Sequence, residues 1–388
     1  MLAGSHERSG GAAGRLLEGV RVVEFSRLIA APHCGLTLSD LGADVIKVES
    51  PSGDDARAFP PFLSNGESAY FHALNRGKRG IVLDLADAGA RKTARRLVER
   101  ADVVVENLGG SIARLGFGYE DLSTLNERLV WCSVTGLGAG QGGRAVDPSL
   151  QASMGLMALT GEPGGPPLRV PVPLIDLMTG MYAVQSVLTG LWRAERTGKG
   201  AFLDCALVDS AATLTSLTAL LALFGSDKPR RLGSESYLVV PSAVFETSDG
   251  EYLQVVAVNE RHWEALCTAL EHPEWLDDSR FADNAARVAN RALVNERVRE
   301  AIATRSAHEW IERITREGGL CECVREIGEA WADPLLGERR LVGRLQDETL
   351  GGFSFPLVSL AGTADPGALA LGPGLGEHTE DVVRELAP

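Results

Sequence analysis

The chain has 388 residues, 45% hydrophobic and 23% charged, which is enough to bury a large core in two or three domains and excludes a disordered, collagen-like or disulfide-framework protein. Its formal charge of -14 argues against general nucleic-acid binding, which needs a positive surface, though not against a local basic pocket. No uninterrupted apolar run reaches the ~18 residues expected of a membrane helix, and residues 1–16, small, polar and Gly-rich without an apolar core, read as a flexible tail and not as a signal peptide. From Gly19 the chain alternates strand and helix: strands over 20–25, 44–49, 79–85, 102–106, 129–134 and 201–208, with helices over 31–41, 88–100, 120–127, 154–159, 176–193 and 209–224. Pro51 to Asn65 reads as loop.

Such alternation predicts an α/β fold with an open, doubly wound, mostly parallel sheet, a Rossmann-like architecture whose ligands sit beyond the carboxyl ends of the strands. Composition shifts near 225. A hairpin over 242–247 and 252–258, turning at Asp249-Gly250, then opens a smaller α+β domain over 226–330, with Trp263, Trp275 and Trp310 as core anchors. The Glu/Arg stretches of 295–326 read as a solvated helix face, and 331–388 as a C-terminal segment returning to the large domain of 17–225.

Six cysteines scattered through the chain read as reduced thiols of a cytoplasmic protein. Cys321 and Cys323 are the one close pair, and without a second pair or a His cluster they do not make a zinc set, so no metal is expected. Gly138-Ala139-Gly140-Gln141-Gly142-Gly143 fits G-x-G-x-x-G but follows a late strand and opens no clean helix over 144–148, so it reads as a glycine loop and not a nucleotide fingerprint. Lys47, Lys78, Arg79 and Arg114 stand at or beyond element ends, either as ordinary surface charge or as a phosphate-binding rim. Asp176 follows two prolines and opens a long apolar helix. It is either a helix-start carboxylate or a rigidly held nucleophile that needs an activated acyl partner.

The chain resembles the family III CoA-transferases, the group that includes formyl-CoA:oxalate and carnitine CoA-transferases and α-methylacyl-CoA racemase. The resemblance is carried by residues 17–24, 41–49, 75–79 with 83–85, 105–107, 114–122, 161–163, Asp176 with Gly180, and in the small domain 244–250 and 278–281. It implies transfer of CoA from an acyl-CoA thioester to a small carboxylic acid, through a mixed anhydride and an aspartyl-CoA thioester on Asp176. Coenzyme A then serves as co-substrate, with no tightly bound cofactor, no membrane or nucleic-acid partner, and an interlocked homodimer. By motif position Lys78, Arg79, Asn107 and Arg114 match CoA contacts, with Leu108 in place of a Phe and one residue deleted near Gly109-Gly110. Arg27, Ile29, Gly136 and Gly138 are substrate-side candidates. Ile29 stands where the oxalate enzyme has Gln, and the run of glycines covering that enzyme's site is missing from the small domain, so oxalate specificity is not expected.

The racemase branch needs a His before Asp in Gly-His-Asp. Here the segment is Ala145-Val146-Asp147, and valine cannot carry a proton, which disfavours racemase or epimerase activity. A non-catalytic acyl-CoA-binding paralogue is the remaining alternative. Arg27 or Arg169 could meet the second carboxylate of a dicarboxylate such as succinate.

Overall fold

The structure is a computed structural model that describes residues 15–225, 228–347, 351–357 and 370–387; for 344–347 and 351–355 only the backbone is described. Most of the expected tail lies outside the described residues. The chain divides into two compact units. The larger holds the described residues up to Met154, Pro171–Leu214 and those from Asp333 onward; the smaller holds Gly155–Val170 and Thr215–Ala332. The division thus falls at 214, inside a helix, and not near 225, and Gly155–Val170 groups with the smaller unit.

In the larger unit six parallel strands, β1 (Arg21–Phe25), β2 (Asp44–Glu49), β3 (Arg79–Val82), β4 (Val103–Glu106), β5 (Val130–Thr135) and β6 (Ala201–Ala206), pair in the order β3-β2-β1-β4-β5-β6. The order reverses between β1 and β4, which opens a crevice beyond their carboxyl ends. Neighbouring residues along each strand point to opposite faces. Val22, Val45, Val103 and Val130 join one apolar cluster, while Val23, Ile46, Val104 and Trp131 join another. Both faces are covered, which is why these strands read as unbroken apolar runs.

The helices of this unit that bear on the site are α1 (Ala30–Asp40), α2 (Ala69–Asn75), α3 (Ala88–Glu99), α4 (Asp147–Ser153), α5 (Leu174–Thr197) and α6 (Leu207–Phe224). Helix α1 is buried along its whole length, packed with α5 in the first cluster. Gly180 permits the close crossing: a methyl added there would lie 2.7 Å from His33 Nδ1 and 2.8 Å from the Ala30 carbonyl oxygen. Helix α5 runs two residues earlier and four later than expected and stops at Gly198, whose φ of 71° suits only glycine-like termination. Helices α2 and α4 were not anticipated. Helix α4 begins at Asp147-Pro148, a proline position that helix starts accept because its missing N–H would be unpaired there anyway. By length and apolarity both α5 and α6 meet the requirement for crossing a bilayer, at mean hydropathy 1.2 and 1.7, contrary to the expectation that no run is long enough. A helix packed in a core meets the same requirement, and α5 is such a helix.

The smaller unit contains an antiparallel sheet in the order β7 (Ser242–Glu246), β8 (Tyr252–Val256), β9 (Leu320–Cys323). Its core includes Trp263, Trp275 and Trp310. Strand β9 lies inside the stretch expected to be all helix; Cys321 is buried there against β8. Back in the larger unit the chain forms a second hairpin, β10 (Val342–Asp347) with β11 (Gly351–Pro356), and a last helix α7 (Thr379–Glu385).

Candidate active site

At the reversal point, β1 ends in Ser26-Arg27-Leu28-Ile29, the turn that leads into α1. Beneath it lies a fully buried ionic cluster. The Lys47 ammonium is 3.0 Å from Asp54, 3.3 Å from Glu24 and donates to the Ser26 carbonyl at 2.9 Å. The Lys78 ammonium is 2.9 Å from Glu24 and donates to the Pro32 carbonyl and the Asn75 side chain, each at 2.9 Å. Burial works against the Lys47 charge, but the carboxylates of Glu24, Asp54 and Glu49 outweigh it and raise its pKa. At Lys78 burial wins and brings the pKa down to about 8, although Glu24 opposes it.

This cluster grips the turn above it. Leu28 adopts φ 67°, a region costly for a residue with a Cβ. Its N–H donates to Asp54 Oδ1 at 3.1 Å, on the carboxylate whose other oxygen Lys47 holds. From the other side Asn107 accepts from the Arg27 N–H at 2.9 Å and donates to the Arg27 carbonyl at 2.8 Å, a side-chain continuation of the β1–β4 ladder. A recess of about 120 Å³ opens here between Ser26, Arg27, Val48, Ser50, Gly53 and Leu108.

The basic rim expected from the sequence is not assembled by these lysines. Lys47 and Lys78 face the interior, with ammonium groups already engaged. Arg79 is the first residue of β3 and so lies at the amino end of the sheet; its guanidinium pairs with Asp44 at 2.7 Å and Glu385 at 2.7 Å. Arg114, in the last turn of a short helix over Gly110–Arg114, is exposed. The Arg27 guanidinium is also exposed and lies 3.2 Å from Asp55. Ile29 is partly buried at the start of α1.

Asp176 lies in the first turn of α5 and is half-buried. The position before this helix is Pro173, which offers no capping side chain. The cap comes from α4 instead. Asp147 Oδ2 accepts from the N–H groups of Ile175 at 2.7 Å and Asp176 at 3.3 Å, while its Oδ1 accepts from the Gln151 side chain at 2.7 Å. Burial, and then the Asp147 charge, push the Asp176 carboxyl up to about 7. The Tyr70 hydroxyl on α2 is raised by burial and by the Asp176 charge.

The glycine loop after β5 lies in the same unit. Gly136 admits no side chain, since a Cβ would come within 2.8 Å of the Ala145 carbonyl oxygen. The Gly138 N–H donates to Thr135 Oγ1 at 3.0 Å, and Asp204 on β6 accepts from the Ala139 N–H at 2.7 Å. The loop is thus anchored to β5 and β6 before the chain enters α4. Asp147, Asp54 and Tyr70 went unnoticed in the sequence as site residues. The Asp-Pro pair signals a helix start, but its target 28 residues away leaves no local trace.

A sheet that reverses beside a gripped turn, and a carboxyl kept basic at a helix start, agree with one further finding: the sequence profile of CoA-transferase family III matches residues 17–379. The chain belongs to CoA-transferase family III. The succinate–glutarate CoA-transferase of Agrobacterium fabrum is 37% identical over 95% of this chain and 95% of its own. The human succinyl-CoA:glutarate CoA-transferase is 33% identical over 95% and 86%. Among solved structures, a CaiB/BaiF family protein from Brucella suis superposes with a TM-score of 0.81 at 35% identity, covering 96% of this chain and 99% of that one. The fold of this family III CoA-transferase, a six-stranded parallel sheet with a small antiparallel sheet, matches that structure.

Proposed function

We propose that the chain transfers CoA from an acyl-CoA donor to a dicarboxylic acid, with Asp176 as the covalent carrier. The observation that carries this reading is the Asp176 carboxyl: it opens a rigid 24-residue helix, is half-buried, and is held near pKa 7 by burial and Asp147. A carboxylate of ordinary acidity is a poor nucleophile; a more basic one, held in place, is better suited to attack a thioester. The Asp176 oxygen adds to the donor carbonyl, the C–S bond of the adduct breaks, CoA leaves as thiolate, and a mixed anhydride of Asp176 and the donor acid remains. The thiolate then attacks the Asp176 carbonyl, the donor acid departs as carboxylate, and an aspartyl-CoA thioester remains. The acceptor carboxylate attacks this thioester, releasing the thiolate and forming a second anhydride. The thiolate attacks the acceptor carbonyl, which gives the new acyl-CoA and frees Asp176. Thioester and anhydride are both activated acyl groups, so no nucleotide hydrolysis is required, and remote contacts to the nucleotide end of CoA hold the thiolate in place.

The dicarboxylate class rests on the names of the relatives, which act on succinate, glutarate, mesaconate, malate or oxalate, with Arg27 as the group for the second carboxylate. The strand order 3-2-1-4-5-6 supports the Rossmann-like description and a CoA site at the reversal point, where Asn107 holds the Arg27 backbone and exposed Arg114 is the remaining phosphate candidate. Six free thiols support a cytoplasmic setting. The apolar side chains of Leu217, Leu220, Leu223 and Phe224, all exposed on α6, support a homodimer. Val146, exposed beside Asp147, leaves no proton carrier for racemisation at that locus. The test is peptide mass spectrometry after incubation with a panel of acyl-CoAs. A borohydride-reducible thioester on Asp176 is expected, and an adduct on any other residue, or on Asp176→Ala enzyme, would refute the reading.

A further inference from the structure

Asp147 is a buried charge that the proposed chemistry does not use. Its side chain is 3% exposed, and its charge acts on the neighbouring Asp176 carboxyl. Buried charges are costly unless paired or hydrogen-bonded. Here three N–H donors satisfy the group: the backbone of Ile175, the backbone of Asp176, and the side chain of Gln151, itself fully buried. Two of these belong to the nucleophile's own turn. A helix start normally takes its cap from the residue just before it. Pro173 cannot serve, so the carboxylate that secures this turn is imported from α4 and lies across the backbone of Asp176 itself.

We infer that Asp147 is the positioning residue for the nucleophile: one carboxylate oxygen fixes the Ile175–Asp176 backbone, so that the Asp176 side chain projects from a clamped turn. The inference rests on the reading of Asp176 as carrier. The helix N-terminus alone would favour an ionised, weakly basic carboxylate at position 176 through its partial positive charge. Asp147 neutralises that end and adds like-charge repulsion, which raises the proton affinity of Asp176 in the same direction as burial. Among the described residues, Asp147 from α4 acts on Asp176, and Asp176 in turn acts on the Tyr70 hydroxyl from α2; Tyr70 is neutral through the working range.

The experiment compares full-length wild type, Asp147→Asn, Asp147→Ala and Asp176→Ala, using the acyl-CoA that labels wild type most. Asp147→Asn keeps an acceptor oxygen and the shape but loses the charge. Its acidic limb for aspartyl-thioester formation should move to lower pH by about one unit, and its kcat at pH 8 should fall about tenfold with KM for acyl-CoA within twofold. Asp147→Ala loses the clamp as well, and a displacement near 1 Å should cost about 10²-fold in kcat. If Asp147→Asn leaves both the acidic limb and kcat where wild type has them, the inference is overturned, and a lowered melting temperature alone would mark Asp147 as a structural cap. Adduct formation that survives in Asp176→Ala, or that never maps to Asp176 in wild type, would instead sink the carrier reading on which the inference stands.

Discussion

Two buried sets of acidic groups sit in the larger unit, and they are built on opposite plans. Under the turn after β1, Glu24 and Asp54 meet two ammonium groups, and each charge has an opposite partner within 3.3 Å. At the start of α5, Asp147 and Asp176 come together, and the Asp147 carboxylate accepts from neutral N–H donors. The first arrangement favours fixed charges and a fixed backbone: it holds Leu28 in a left-handed conformation that sterics oppose. The second leaves one carboxyl half-buried and basic. Saturated pairing makes a platform, and under-pairing is what the proposed role of Asp176 requires, because a group cannot be both fully neutralised by neighbours and available to attack a substrate.

This contrast is open to direct attack. The largest effect is expected at the saturated cluster. Glu24→Gln removes the carboxylate that pairs with the buried Lys78 ammonium and one of those that hold Lys47, and should cost about 3–5 kcal/mol, read as a shift in urea midpoint. A loss below about 1 kcal/mol would show that the platform is not electrostatic.

At the under-paired site the sign reverses. The folded Asp176 has a pKa of about 7 against 3.8 for an ordinary aspartate, so the folded chain binds that proton more tightly than the unfolded chain does. Its contribution therefore falls as pH rises from about 4 to about 7 and stays lost above. Asp176→Asn should accordingly raise the melting temperature at pH 8 and have little effect at pH 4; a lower melting temperature at pH 8 would contradict the plan.

A smaller change tests specificity. Arg27→Ala should reduce turnover of succinyl-CoA about tenfold more than that of acetyl-CoA, the scale of one charged hydrogen bond at an exposed position. Equal losses would remove Arg27 as the receptor of a second carboxylate. The smallest effect is expected at Arg79, whose half-exposed pairs with Asp44 and Glu385 lie at the amino end of the sheet. Arg79→Ala should cost about 1 kcal/mol or less of stability and leave KM for acyl-CoA unchanged. A several-fold rise in KM would restore it to the CoA site.

How far each residue could be read in advance follows from the range of the interaction that places it. The strands of the large sheet and the helix at Asp176 were legible because apolar runs, Gly42 and the Pro-rich approach to α5 are local signals. Lys78 was legible as a basic residue next to Arg79, but not in its direction. It turns inward because Glu24, 54 residues away, arrives at the same level of the sheet, and a lone sequence cannot show which of two adjacent cations will be buried. Asn107 was picked out, yet its side chain serves the Arg27 backbone. Strand β9 was hidden within charged, helix-like surroundings, since four residues that add to a sheet edge depend on a partner about 70 positions earlier.

By itself the sequence determined the alternation of strands and helices, the place of Asp176 at a helix start, and the resemblance that ties that carboxyl to acyl chemistry, because each is written in neighbouring residues. Only the tertiary structure decided which charges are buried, that Asp147 caps the turn that bears Asp176, and that the turn after β1 is gripped from both sides. Those outcomes depend on contacts between segments tens of residues apart, whose energies are set by burial and by distances of about 3 Å that no local pattern encodes.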